Sequence, residues 1–271
     1  MKEFLGFGGY QRIPEGKYTW QHLTFVLSLI AVMIALAVCL GIYYRHKDAK
    51  RKNKVLTIAA IMINAIEIFK IVMFCWRGND PMGWLTELPL FLCSIQLITI
   101  PLAAWSKGRL KEAALDFVMI FGILGAIFGT IGAAQNYDAY PVLSLDNVAS
   151  GITHCISGFC SLYIIISGMA SMKKKNIWIT FCILLGFCAA AYVANILIDY
   201  NYMFLMNHDG TPYQIVYNWV GGHPVLYPLA VIVLFLVYIV AYYGVYFLIT
   251  KKKTAVLEDL DKVEDRETVN V

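Results

Sequence analysis

The stretch WQHLTFVLSLIAVMIALAVCLGIYYRHKDAKRKNK, residues 20–54, decides the fold. Residues 20–44 are apolar almost throughout and contain no Asp, Glu, Lys or Arg. A helix rises about 1.5 Å per residue, so roughly 20 such residues cross the hydrocarbon of a bilayer. The character then reverses: Arg45, Lys47, Lys50, Arg51, Lys52 and Lys54 follow at once. Lys and Arg accumulate on the cytoplasmic side, so this reads as a membrane helix running inward. It is not a cleavable leader, because it is too long, lacks a small-residue cleavage site and opens on Trp20, Gln21 and His22 instead of cations.

The same alternation continues along the chain. Apolar stretches at about 20–44, 55–76, 88–106, 113–133, 148–172, 177–198 and 224–250 are each long enough to span. Lys107, Arg109 and Lys111 follow the third, Lys173–Lys175 the fifth and Lys251–Lys253 the seventh. The outer loops 77–87, 134–147 and 199–223 hold Arg77 alone. The expected architecture is therefore an all-α, polytopic membrane helix bundle of seven transmembrane helices, N-terminus out and C-terminus in. Residues 1–19 form a short extracytoplasmic segment, 20–250 the membrane domain, and 251–271 an acidic cytoplasmic tail expected to be disordered. The chain is expected in the cell membrane as a multi-pass protein.

Composition agrees. Hydrophobic residues make up 59% of the 271 and charged ones 15%, with a mean hydropathy of +0.65. A soluble domain carries about a quarter charged residues. The seven cysteines form no zinc-like pair, and their odd number gives no disulfide framework. No phosphate-binding loop, dinucleotide fingerprint or HExxH is present, so neither a cofactor nor a metal is expected, and nucleic acid is not an expected partner. His208 and His223 read as loop residues. Gly122, Gly125, Gly129 and Gly132 share one face of the fourth span, where small residues let membrane helices approach closely.

Ionisable and polar groups inside hydrocarbon are costly and point to function. Given the inward and outward runs above, Glu67 lies about 14 Å and Lys70 about 9 Å below the outer surface. Cys93 and Gln96 lie roughly 8 and 12 Å deep, and His154 about 9 Å. Asn195, Asp199 and Asn201 close the sixth span, and His22 opens the first. These groups come from different helices yet share the outer half, so they are expected to line one polar pocket; Asp116, near the inner end of the fourth span, stands apart. Glu67 and Lys70, at i and i+3, would neutralise each other, and losing Glu67 would strand Lys70. Structural roles remain open for each: a buried ion pair, an interhelical hydrogen bond at His154, an inert thiol at Cys93, capping groups at Asn195, Asp199 and Asn201.

The run Glu87-Leu-Pro-Leu-Phe-Leu-Cys93-Ser resembles the LPLxLC signature of the YwaF family of integral membrane proteins. Asp199-Tyr-Asn-Tyr-Met-Phe-Leu205 is similar to that family's NYMFL segment, and Gly221-Gly-His-Pro224 to its turn before the last span. His22 at the start of the first span also fits. The likeness covers about residues 20–250. Eukaryotic relatives in this fold group are regarded as glycerophospholipid acyltransferases using a membrane cysteine and a histidine; more distant androgen-induced hydrolases of fatty-acid esters use a threonine and a histidine. The resemblance thus implies Cys93 and His154 as the catalytic pair and a membrane lipid as substrate; the polar residues placed by depth, Glu67, Lys70, Gln96, Asn195, Asp199, Asn201 and His22, would stand about that pocket. The leading expectation is an acyltransferase or ester hydrolase. The alternative is a small-solute transporter or binding protein built on Glu67, Lys70 and Asp199.

Overall fold

In the computed structural model, residues 1–170 and 172–269 are described, the side chains of 134 and 252–269 excepted. No strand occurs among the described residues. The helices are α1 (Trp20–Tyr44), α2 (Ala49–Gly78), α3 (Gln96–Trp105), α4 (Gly108–Thr130), α5 (Ala134–Ala139), α6 (Leu145–Ile166), α7 (Ile177–Ile198), α8 (Gln214–Trp219) and α9 (Leu226–Val269). Six of them are long and apolar enough to cross a membrane: α1, α2, α4, α6, α7 and α9. The expectation of a disordered acidic tail falls almost wholly on residues whose side chains lie outside those described.

The third expected span departs from the sequence reading. A helix was expected over 88–106, but only Gln96–Trp105 is α-helical. Pro89 is the physical reason: it brings no N–H, and its ring disfavours helical backbone at the residue before it. Leu88 is accordingly extended, with ψ of 147°. Irregular backbone at membrane depth survives only where protein satisfies its polar groups. Here the Leu88 N–H donates to Tyr202 Oη at 3.1 Å, the Phe91 N–H to Ser94 Oγ at 3.0 Å and the Ile95 N–H to the Phe91 carbonyl at 3.0 Å.

The short helix that follows is held as carefully. Pro101 inside α3 cannot donate to the Leu97 carbonyl one turn back. Asn64 on α2 takes that place, its Nδ2 donating to the Leu97 oxygen at 3.0 Å. At the other end, Asn53 Nδ2 and Lys111 Nζ donate to the Ala104 carbonyl at 2.7 and 3.3 Å, which supplies donors and a cation where a helix C-terminus wants both.

The centre of the bundle is α4 against α6, with α1 on the far side of α6 and α3 between α2 and α4. The glycine face of α4 permits the contact. A Cβ at Gly122 would stand 2.6 Å from the Ser157 carbonyl oxygen, and Ser161 Oγ donates to the Met119 carbonyl across the interface at 2.6 Å. Gly132 lies past the end of α4 and takes no part in that contact. At one end of the bundle, buried Asp116 accepts from Tyr243 Oη, Asn176 Nδ2 and the Met172 N–H, joining α4, α9 and the linker before α7. Those three donors give this carboxylate a structural role.

Candidate functional site

At the end of the bundle away from Asp116, a cavity of about 750 Å³ opens between α2, the unwound segment, α6 and the loop after α7. It is lined by apolar residues, Ile63, Phe91 and Leu97 among them, and by Glu67, Lys70, Cys93, His154, Asp199 and Asn201. Six of the polar residues singled out from the sequence therefore meet in one space.

His154 is seated by its own helix and by α4. Its Nδ1 lies 2.7 Å from the carbonyl oxygen of Ser150, one turn back on α6. A carbonyl only accepts, so Nδ1 carries the proton, and in the neutral ring Nε2 is the nitrogen with the lone pair. The ring lies in the space a side chain on α4 would occupy: a Cβ at Gly129 would fall 2.0 Å from Nε2 and 1.7 Å from Cδ2. One turn along α4, a Cβ at Gly125 would be 3.6 Å from both Cα and Cβ of Cys93. Gly129 thus clears a berth for the imidazole, whereas a methyl group at Gly125 would meet Cys93 at ordinary contact distance. Cys93 and His154 both line the cavity, against positions one turn apart on α4.

Facing this pair, Lys70 Nζ lies 2.7 Å from Glu67 Oε1 and 2.9 Å from Glu87 Oε2. The sequence reading gave Lys70 one partner; the structure gives it two, because the unwound segment folds the residue just before Leu88 back onto α2. Losing Glu67 therefore does not strand Lys70.

Three residues expected at the pocket stand elsewhere. Gln96 is fully buried in the first turn of α3, where its Oε1 accepts from Thr99 Oγ1 at 2.9 Å. Asn195 spends both side-chain polar atoms on the backbone of Tyr202, at 2.6 and 3.1 Å. His22 stacks on Tyr137 with ring centroids 3.8 Å apart and accepts from the Tyr18 N–H, fixing the start of α1. Matched depth placed these groups near the site, but depth does not say which way a helix faces. Asn201, at the rim, is also occupied: its Oδ1 accepts from Met206 N–H and its Nδ2 donates to the Asn207 carbonyl.

Sequence reasoning missed the N-terminal strap. Residues before α1 cross the end of the bundle beside the cavity, where Tyr10 Oη donates to Asp146 Oδ2 at 2.5 Å and Arg77 bonds Asp146 Oδ1 at 2.6 Å. The Leu145 N–H donates to the Phe4 carbonyl at 2.9 Å. Arg77 was visible as the only cation of the outer loops, which was the signal for this node. Among the described residues, no group of three or more His, Cys, Asp or Glu side chains could hold a metal ion.

The fold and the site define a polytopic helical membrane protein with a cavity lined by polar and charged residues, Cys93 and His154 among them. The model of the TMEM164 family matches residues 17–243, most of the chain, and the chain belongs to that family. Neither a curated protein nor a solved structure matches it.

Proposed function

We propose that this chain is a membrane-embedded lipid acyltransferase or ester hydrolase, with Cys93 as nucleophile and His154 as its base. The observation that carries the reading is that Cys93 and His154 line one cavity whose walls mix apolar and polar residues, with His154 Nδ1 held by the Ser150 carbonyl. The resemblance of the Leu88–Cys93 run to the YwaF signature, and through it to glycerophospholipid acyltransferases, points the same way.

In the proposed reaction, Nε2 takes the thiol proton and the sulfur attacks the carbonyl carbon of a lipid ester. Backbone N–H groups of the unwound segment would steady the oxyanion; Asn195 is spent on Tyr202, and Gln96 stands outside the cavity. The ester C–O bond breaks, and the departing alkoxide recovers the proton from His154. A lipid hydroxyl or water then gives its proton to His154 and attacks the thioester, releasing the Cys93 thiolate, which is reprotonated.

The chain is further proposed to cross the membrane of the cell seven times, N-terminus out, with the unwound segment and α3 together making the third crossing. Lys111 meets Asn53 and Arg109 meets the Lys175 carbonyl, so the basic connections gather at one end of the bundle. Reporter fusions after residues 52, 110, 174 and 254 should all report cytoplasm; an outside signal from any one overturns this topology. A broken helix beside buried charge also suits a transporter. Lys70, however, is satisfied by two carboxylates and leaves no unpaired cation for a solute.

The decisive experiment is labelling with an acyl-directed lipid probe. Cys93→Ala should abolish labelling at normal expression, and His154→Ala should reduce it comparably, since a nucleophile and its base act as a unit. Full labelling of Cys93→Ala refutes the mechanism.

A further inference from the structure

The unwound segment that presents Cys93 has no helical ladder to fix it. Its C-terminal end runs into α3. Its N-terminal end is held at Glu87 by Lys70 of α2 and, at the backbone, by Tyr202, whose Oη donates to the Leu85 carbonyl and accepts from the Leu88 N–H at 3.1 Å. Tyr202 is fully buried, and its ring packs edge-on against Phe91, centroids 5.0 Å apart. Phe91 stands two residues before the cysteine.

Tyr202 is itself held with unusual firmness. Asn195 at the end of α7 accepts the Tyr202 N–H with Oδ1 and donates to the Tyr202 carbonyl with Nδ2. The next two residues, Met203 and Phe204, have positive φ of 54° and 56°. Non-glycine residues keep such backbone only where the surroundings enforce it, and such strain gathers at functional sites. Phe204 then turns into the cavity wall, its ring 5.8 Å from that of Phe91. Ending α7 does not require any of this. The loop directs one hydroxyl at two backbone groups on the segment that carries Cys93.

We infer that Tyr202 is a positioning residue whose hydroxyl sets the depth and direction at which the unwound segment offers the Cys93 thiol to His154. The inference rests on the reading of those two residues as nucleophile and base. It assigns Tyr202 no contact with substrate; its effect passes through Leu85 and Leu88. A misplacement of about 1 Å at a reacting atom costs on the order of a hundredfold in rate.

The test is the pH profile of Cys93 alkylation by iodoacetamide, read at that residue by mass spectrometry, on the full chain in lipid nanodiscs. The titratable groups about Cys93 are His154 on α6, Glu67 and Lys70 on α2, Glu87 before the unwound segment and Tyr213 before α8; α4 brings only Gly125. Tyr202→Phe keeps the ring and removes the hydroxyl. Its profile should move onto that of His154→Ala, with the rate at neutral pH reduced by about tenfold or more. Leu88→Pro removes one of the two bonds, that from the Leu88 N–H, at a residue whose φ of −60° proline accepts, and should shift the profile in the same direction. It decides the matter alone if Tyr202→Phe does not accumulate. Tyr163→Phe is the control: it loses a comparable bond, to the Lys52 carbonyl at 3.1 Å, and should lower the melting temperature while keeping the wild-type profile. A folded Tyr202→Phe with wild-type rate and profile overturns the positioning role and leaves the nucleophile–base reading standing. A wild-type profile in His154→Ala overturns that reading, and the positioning role with it.

Discussion

Gly129→Ala is the sharpest perturbation the site offers, because a single methyl group lands on the proposed base. The new Cβ would sit 1.7 Å from His154 Cδ2 and 2.0 Å from Nε2, against a floor near 3.0 Å for real contacts. Either the ring or the helix must yield by more than 1 Å. The ring is the softer element, and its shift would break the 2.7 Å contact of Nδ1 with the Ser150 carbonyl that fixes the tautomer. Overpacking costs about 1–3 kcal/mol, while glycine to alanine in a helix returns roughly 0.5–1 kcal/mol. Net destabilisation should therefore be small, about 0–2.5 kcal/mol. The loss in rate should be large, on the order of a hundredfold for a displacement of this size. Gly125→Ala is the matched comparison, since its Cβ would lie at an ordinary 3.6 Å from Cys93 and activity should survive. The assay is lipid-probe labelling of Cys93 alongside thermal unfolding. If Gly129→Ala labels as well as wild type, the argument that the glycine seats a working His154 is wrong.

The ion cluster predicts an order of effects. Lys70→Met leaves Glu67 and Glu87 facing each other without a cation and should cost about 3–5 kcal/mol, whereas Glu67→Gln leaves the 2.9 Å Lys70–Glu87 pair intact and should cost clearly less; denaturant unfolding that reverses this order contradicts the shared-lysine geometry. The strap should weaken in alkali. Burial, and then the hydrogen bond to Asp146, push Tyr10 up to about 12. The folded state thus holds the phenol proton more tightly than the unfolded chain, so the stabilisation is complete below about pH 10 and is lost as pH rises toward 12. Melting temperatures across that window should fall less steeply for Tyr10→Phe than for wild type, and parallel curves would remove Tyr10 from the strap.

The sequence by itself determined the class of fold. Runs of about twenty apolar residues leave the backbone no solution in lipid but the helix, and that constraint is local. The bounds of α1 and α7 were legible for this reason, as was the gathering of Glu67, Lys70, Cys93 and His154, since cost restricts where such groups can lie. The glycine face of α4 was equally visible as a spacing. What it makes room for was not: whether Gly129 clears a berth for the His154 ring depends on how α6 is rotated against it. Helical direction likewise separated Gln96, Asn195 and His22 from the pocket that their depth suggested. Tertiary structure alone also decided the break in the third span. Pro89 made it permissible, but the Leu88 N–H it leaves outside a helix is satisfied by Tyr202, 114 residues further along the chain and adjacent only in space. A hydrogen bond between segments more than a hundred residues apart leaves no periodicity to read.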